Sequence, residues 1–380
     1  MEISHSKIKE NNIKKIIKLL LEKNEITKLD ISRSLDISIT TVSTNISELK
    51  EIGIVEEVRS LESTGGRKAI SLKIDENCRF SLGIALTPRH VKLSLINIKK
   101  EVIESIRIKH NNNEIKNILN IVKDNISGIL DKANITNEKL LGICISIPGT
   151  VDTKSGVIKY CYLLGIKNYN IKKEFEYLNV PIYVDNEANL SAYYEFLNRK
   201  DILENLLYIS ITDGLGLGII INGKIHRGSN NVAGELGHIK IVVDGEQCEC
   251  GSKGCLEAYT SKKILLKGYN ESSVYKIREI EDFQKVYDMG DKKAEDTLER
   301  YLKYLSVGIS NLSMILDPSS IVIGGDINSL LEDNLDKISE HVYNDNSFIN
   351  KEKCKIEITN FRESYLLGAA MVPIEKFLNF

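Results

Sequence analysis

The chain has 380 residues, of which 42% are hydrophobic and 27% charged, and its net charge is -2 at pH 7. This composition is typical of a globular protein of two or three domains, and it excludes a disordered chain or a strongly basic one. Seven cysteines without a disulfide framework favour a reducing compartment. The polar start MEISHSKIKE and the lack of an apolar run of ~18 residues argue against a signal peptide or a membrane span, so we expect a cytoplasmic protein.

The first segment predicts three short helices. In the first helix, five aliphatic residues recur at helical spacing: Ile13, Ile16, Ile17, Leu20 and Leu21. Thr27 is the predicted N-cap of a second helix that ends near Leu35, with Ile26 and Ile31 placed as a hydrophobic staple. Ser38 is the predicted N-cap of the third helix. Its predicted buried face consists of Ile39, Val42, Ile46 and Leu49. Its outward face carries small polar residues: Thr40, Thr41, Ser43, Thr44, Asn45 and Ser47.

Two predicted strands follow, at 54–59 and 68–74, and a turn with Gly65, Gly66 and Arg67 joins them. A helix-turn-helix followed by a two-stranded wing is a winged helix, whose recognition helix enters the major groove of DNA. We therefore expect residues 1–75 to bind double-stranded operator DNA through Arg67 and the third helix. The helix residues concerned are Thr40, Thr41, Ser43, Thr44 and Asn45. The alternative is a three-helix module that binds protein.

From Phe80 the pattern changes to that of an α/β domain. Strands are predicted at 80–86, 91–98 and 101–108, and Leu140–Ile147 is a buried strand. The helix before that last strand has six aliphatic residues on one face: Ile115, Ile118, Leu119, Val122, Ile126 and Ile129.

Three cysteines further on form a metal-type cluster. Cys248, Cys250 and Cys255 have the spacing Cys-x-Cys-Gly-x-x-Gly-Cys, and His238 lies upstream as a fourth ligand. Thiolates and imidazole in a closed four-ligand shell suit structural zinc. The alternative is three reduced thiols in a loop.

The segments around these ligands, GELGH at 234–238 and CECGSKGCLE at 248–257, resemble the two signatures of the ROK family of repressors, open reading frames and kinases. The resemblance implies a two-lobed actin-like, ribonuclease-H-like α/β fold. The first lobe would comprise 78–185 with 364–380, and the second would comprise 186–363 with the zinc loop. It also implies that Glu235, His238 and Glu257 hydrogen-bond sugar hydroxyls, while His238 also ligates zinc. Asn186 and Glu187, in a motif at 184–189, are the other expected sugar ligands.

Two departures from the kinases of that family favour a regulator. Family kinases carry an aspartate and then Gly-Gly-Thr-Lys in the turn after the first strand, where this chain has Ala85 and Pro88. Glu187 replaces the family's catalytic aspartate, and Tyr162 and Leu163 stand where many members place a sugar-binding asparagine. We therefore predict a sugar-responsive repressor without catalytic residues, acting as a homodimer or a dimer of dimers. The alternative is a sugar kinase with a DNA-binding head.

Overall fold

A computed structural model describes residues 5–59, 70–111, 114–199, 204–344 and 348–379. Its first part is a winged helix built on a small antiparallel sheet of order β1-β3-β2. The elements are α1 (His5–Glu22), β1 (Ile26–Thr27), α2 (Lys28–Leu35), α3 (Ile39–Glu51), β2 (Val55–Arg59) and β3 (Ile70–Ile74). Both predicted caps are confirmed, since Thr27 and Ser38 each accept a hydrogen bond at 3.2 Å from the backbone N–H three residues on. Strand β1 was not predicted.

Two residues of α3 are placed differently from the prediction. Asn45 is buried, at 1% exposure, because it lies three residues after Val42 and therefore on the same helix face. Ile39 is 44% exposed, because it is the first residue of α3 and stands beyond the packed part of the helix. The predicted wing tip, with Gly65, Gly66 and Arg67, lies outside the described residues.

The next part contains a five-stranded sheet of order β11-β7-β4-β5-β6. Its elements are β4 (Phe80–Leu86), β5 (His90–Asn97), β6 (Val102–Lys109), α4 (Ile115–Lys132), β7 (Leu140–Ile147) and β11 (Ile182–Asn186). The predicted strands and the helix are confirmed to within a residue or two. A second small sheet, which was not predicted, covers one end; it consists of β8 (Thr150–Asp152), β9 (Val157–Cys161) and β10 (Ile166–Asn170).

After α5 (Glu187–Asn198) comes a second five-stranded sheet, of order β14-β13-β12-β15-β16. Its strands are β12 (Leu206–Ile211), β13 (Leu215–Ile221), β14 (Lys224–Ile225), β15 (Ser320–Gly325) and β16 (Lys355–Ile358). Helices pack on it: α6 (Glu257–Thr260), α7 (Lys262–Ser272), α8 (Ile280–Asp288), α9 (Lys292–Leu316), α10 (Asn328–Glu332) and α11 (Leu335–Tyr343). Asn222-Gly223, a typical hairpin dipeptide, joins β13 and β14, and both residues have left-handed φ angles, 51° and 70°. Gly324 and Gly325 end β15, and α10 begins at Asn328 after a short turn.

Helices α5 and α12 (Ser364–Asn379) pack together between the two sheets. The contact is close at two glycines: a Cβ at Gly218 of β13 would lie 2.2 Å from the Ala188 carbonyl oxygen, and one at Gly368 of α12 would lie 2.1 Å from that of Leu190. Because both neighbours are backbone of α5, neither position has room for a side chain. Helix α5 is therefore held from both sides.

The core of the winged helix continues into the body of the protein. Ile16 and Leu20 of α1 belong to the same buried cluster as Met371 and Ile374 of α12. The predicted architecture of a winged helix on a two-lobed α/β body is confirmed, while the exact domain boundaries stay a prediction. None of the helices in the described ranges is long and apolar enough to cross a membrane.

Candidate functional site

The two sheets face each other across a cleft with a volume of about 390 Å³. The small sheet and the β11–α5 junction form one wall, and the β12–β13 turn and the segment from 227 to 257 form the other. All five predicted sugar ligands line this cleft: Asn186, Glu187, Glu235, His238 and Glu257. The structure therefore brings together residues that are up to 71 positions apart in the sequence.

The four predicted metal ligands also come together, at the outer end of the same wall. One ligand atom from each of His238, Cys248, Cys250 and Cys255 lies within 4.8 Å of all the others. The Cys250 and Cys255 sulfurs are 3.7 Å apart, and His238 Nδ1 is 3.7 Å from the Cys248 sulfur. Zn–S bonds of about 2.3 Å at tetrahedral angles place two sulfurs about 3.8 Å apart. The residues therefore fit a four-coordinate metal ion.

His238 joins the metal cluster to the cleft. Its Nδ1 faces the cysteines, and the residue also lines the cleft, so Nε2 is the ring nitrogen left for a ligand there. Glu257 interacts electrostatically with His238, and one of its carboxylate oxygens accepts the Leu215 N–H at 2.9 Å. Burial raises the pKa of Glu257. A bound metal would fix the imidazole and so orient its N–H beside this carboxylate.

Glu235 and Asn186 are already engaged with the opposite wall or the backbone. Thr150 donates a hydrogen bond of 2.6 Å to Glu235, which links the two sides of the cleft. Asn186 is the N-cap of α5, because its Oδ1 accepts from the Ala188 and Asn189 N–H groups, and its Nδ2 donates to the Gly149 carbonyl at 3.0 Å. A ligand that binds either residue must therefore replace or share an existing hydrogen bond.

Glu187 begins α5 at the deepest point between the walls, where it also lines a second cavity. Burial raises the pKa of its carboxyl to about 7; a hydrogen bond with Ser210 opposes this rise and the charge of Asp326 adds to it. The side chain is therefore partly protonated at neutral pH and can both donate and accept.

A polar network that was not predicted from the sequence lies beside these residues. Arg227 forms an ion pair with Asp185, which is 8% exposed, and the two belong to opposite walls. Asn189 donates to Asp185 at 3.2 Å, and its Oδ1, which has no partner within the described part of the chain, borders the cleft. The sequence signal was present, because Asp185 and Asn189 flank Asn186 and Glu187 in one motif.

The second cavity, of about 310 Å³, continues from the first beyond Glu187. Its turn at 87–90 has few free donors, because the Thr87 N–H bonds the His90 carbonyl at 2.9 Å and the His90 N–H bonds the Thr87 hydroxyl at 3.0 Å. Pro88 has no N–H. At the β12–β13 turn, the Leu215 N–H is taken by Glu257. Asp213 pairs with Lys262 at 3.1 Å.

The predicted DNA-contacting face of α3 is only partly exposed. Thr40 and Thr44 are exposed, whereas Thr41 and Ser43 are partly buried and Asn45 is buried. The hydroxyls make local bonds, such as Thr44 to the Thr40 carbonyl at 3.1 Å. Arg33, at the end of α2, is an exposed cation that has no ion-pair partner among residues 5–59 or the rest of the described chain, and the sequence analysis did not select it.

Comparison with known families and proteins gives two matches and several full-length relatives. Residues 81–372 match the model described as ROK family, and residues 9–56 match a winged helix-turn-helix DNA-binding model. A xylose repressor from Caldicellulosiruptor bescii is 30% identical over 396 aligned residues, which cover 99% of this chain and 98% of that protein. The DNA-binding transcriptional dual regulator NagC of Escherichia coli is 25% identical, over 84% of this chain and 81% of its own.

Solved structures agree on the fold. A ROK family transcriptional regulator, described as a homologue of the E. coli MLC protein, aligns with a TM-score of 0.83 and 24% identity over 98% of this chain and 96% of its own. A ROK family glucokinase from Streptomyces griseus, in complex with glucose and AMPPNP, aligns with a TM-score of 0.66 and 21% identity over 77% of this chain and 98% of its own. The kinase match leaves out about the length of the winged helix.

Proposed function

The chain belongs to the ROK family as a sugar-responsive, DNA-binding repressor, and we propose that a neutral sugar binds between its lobes and releases operator DNA. The observation that carries this proposal is the convergence of five predicted sugar ligands on one cleft beside the metal cluster. Carboxylates at several positions can accept from sugar hydroxyls, and the imidazole N–H can donate. Xylose is the first sugar to test, because several relatives are named xylose repressors.

We infer that the bound metal is zinc and that its role is structural. Three thiolates and one imidazole are a donor set that zinc prefers, and a shell of four protein ligands leaves no open position for a substrate. Zinc bound there would hold the loop and keep His238 turned towards the cleft, next to Glu257.

A contiguous path of packed elements supports the release of DNA. Asn186 and Glu187 begin α5, α5 packs on α12 through Gly368, and α12 shares a core with α1 of the winged helix. Because Thr150–Glu235 and Asp185–Arg227 link the walls directly, a sugar that enters their network changes how the lobes meet. A sugar that binds the changed arrangement more tightly shifts the population towards it, and α12 then moves the DNA-binding heads.

The kinase alternative has less support from the geometry. Where a nucleotide phosphate would lie, the Thr87 and His90 N–H groups donate to acceptors within the turn at 87–90. Five carboxyl side chains also line this cavity, against four Lys and Arg side chains, and disfavour a phosphate there: Glu187, Asp213, Glu279, Glu281 and Asp326. We therefore propose that the chain does not phosphorylate its sugar, and a coupled assay for ADP release tests this.

We also propose that the repressor is a homodimer joined through α9. Val307, Met314 and Ile315 are 45%, 50% and 76% exposed and lie on one face of this helix, seven and eight residues apart. A second copy of the chain is the fitting occupant, because one winged helix makes few base contacts and two heads on a palindrome bind with far greater avidity. Met314→Glu should convert dimers into monomers in analytical ultracentrifugation and weaken operator binding.

Fluorescence anisotropy tests the proposed function. Labelled DNA from upstream of the protein's own gene is bound at constant salt and titrated with xylose, glucose and N-acetylglucosamine. One of these sugars should release the DNA, and DNA binding without sugar should weaken steeply as salt rises. Glu235→Ala and Glu257→Ala should keep DNA affinity and lose the sugar response.

Either of two results contradicts the proposal. The first is an unchanged sugar response in both variants, because it would place the effector elsewhere. The second is an absence of DNA binding at any salt, which would favour a module that binds protein.

A further inference from the structure

Two tyrosines line the cleft in addition to the five predicted sugar ligands. Tyr160 is the second-last residue of β9 and is 39% exposed. Tyr162 directly follows β9 and is 51% exposed. Both line the same cavity as the predicted sugar ligands. Large aromatic surface left open inside a ligand cleft is costly in water, and covering it is favourable.

The two rings form an ordered platform. Their centroids are 5.2 Å apart and their planes are inclined by 32°. The Lys167 ammonium lies 5.0 Å from the centroid of Tyr160, which is a favourable cation–π arrangement. The position of the Tyr160 ring is therefore supported by its neighbours before any ligand arrives.

The platform lies outward from the polar end of the cleft. Leu163 and Glu257 both lie against Gly214, as a Cβ there would be 4.0 Å from Leu163 Cδ1 and 3.2 Å from Glu257 Oε2. Tyr162, the residue before Leu163, instead lies within electrostatic range of the Cys250 and Cys248 thiols on the metal loop. Glu257 and Glu187 lie against Gly214 and Gly216 at the β12–β13 turn, whereas Tyr162 faces the metal loop, so the cleft extends from this turn to the tyrosines.

We propose that this space is a subsite for a second sugar ring, so that the preferred effector is a disaccharide whose outer ring stacks on Tyr160 and Tyr162. A pyranose ring has an apolar face of C–H groups that matches an aromatic surface, while its hydroxyls point to the sides. Glu249 and Asn231 line the same cavity and offer acceptors and donors at its edge. The cleft volume of about 390 Å³ lies within the range of about 300–1,000 Å³ that is typical of small-molecule sites.

The inference rests on the proposed function and is tested by isothermal titration calorimetry of the full-length, zinc-loaded protein. The probes are matched pairs: xylose and xylobiose, glucose and cellobiose, N-acetylglucosamine and chitobiose. In one pair, the disaccharide should bind at least about tenfold more tightly than its monosaccharide. Tyr162→Ala should remove this advantage and leave the affinity for the monosaccharide within about twofold. Tyr162→Phe should keep most of the advantage, because it retains the ring.

Tyr177→Ala is the matched control, because Tyr177 is 57% exposed but lines neither cavity. The subsite is overturned if a monosaccharide binds and no disaccharide binds more tightly, or if Tyr162→Ala weakens both ligands equally; the proposed function survives either result. If none of the six sugars binds or releases DNA, the proposed function fails, and the subsite fails with it.

Discussion

The two ends of the groove between the lobes differ in how their polar groups are used. At the end with the metal cluster, Glu257 and His238 line an open cleft, and the buried Asn189 beside them has an oxygen with no partner in the described part of the chain. At the other end, two N–H groups of the turn at 87–90 donate to acceptors within the turn, and Lys262 is paired with Asp213 and Asp326. Hydrogen-bonding groups therefore face the cleft at the end with the metal cluster, whereas at the other end Lys262 and two N–H groups of the turn are already paired.

Loss of the metal should have the largest effect on the sugar end. Cys250→Ser removes one of four ligands, so the loop that orients His238 should lose its order and sugar affinity should fall by more than about a hundredfold. Operator binding should persist, because the core of the winged helix lies elsewhere. Zinc content and calorimetry measure this, with Cys354→Ala, a buried thiol outside the cluster, as the control. A variant that lacks zinc but binds sugar normally would contradict the role of the metal.

Glu257→Ala should have the next largest effect. It removes a carboxylate that faces the cleft and frees the Leu215 N–H, so sugar affinity should fall by about 10- to 100-fold, the value of one hydrogen bond to a charged group. Operator affinity should stay within about twofold. Calorimetry and anisotropy on the same preparation measure both, and a parallel loss of DNA binding would show that the residue is needed for folding instead.

Glu187, which lines both cavities, should make the free energy of unfolding depend on pH. Its pKa is raised to about 7 in the folded protein, from 4.5, so the folded state holds the proton more tightly than the unfolded chain. Stability from this group is therefore fully present below pH 4.5 and is lost as pH rises through 7. Relative to wild type, Glu187→Gln should gain about 1–3 kcal/mol between pH 5 and pH 8 in urea unfolding. Glu281→Gln, at an exposed carboxylate beside the second cavity, is the control; equal pH profiles for wild type and Glu187→Gln would contradict the raised pKa.

The smallest effect is expected from nucleotide at the other end of the groove. ATP or AMPPNP with Mg²⁺ should change the melting temperature by less than about 1 °C, with or without sugar, because a ligand that does not bind cannot stabilise. Differential scanning fluorimetry detects such a shift. A melting temperature that rises with nucleotide concentration would mean that the second cavity binds nucleotide. Release of ADP in the coupled assay would then favour the kinase alternative.

Much of the fold could be predicted because its signals are local. Thr27 and Ser38 are followed by helices, and Asn222-Gly223 joins two apolar runs, so caps and turns mark these elements directly. The predicted placement of Asn45 was wrong. Its polar side chain indicated the outer face of the helix, whereas its spacing from Val42 places it on the buried face. The small sheet at 150–170 was missed because its strands are short and partly exposed.

The site was predicted only where it lies in compact motifs. Glu235, His238 and Glu257 stand near the cysteines, and Asn186 and Glu187 are adjacent in the chain. Arg227 lies 42 residues from Asp185, and Thr150 lies 85 residues from Glu235. Pairing of this kind depends on how the two sheets face each other, which no local pattern encodes. The internal hydrogen bonds of the turn at 87–90 could not be predicted from the sequence either. Pro88 indicated only that this turn has lost one N–H group that could bind a phosphate.

The central claim is that sugar binding in the cleft and DNA binding at the winged helix are coupled, and linkage gives its most direct test. The sugar's dissociation constant is measured by calorimetry on free protein and on protein saturated with operator. If sugar releases DNA, the sugar must bind the operator complex more weakly, by the same factor by which saturating sugar weakens operator binding. Equal sugar affinities in the two states would contradict the coupling, even if sugar and DNA each bind tightly.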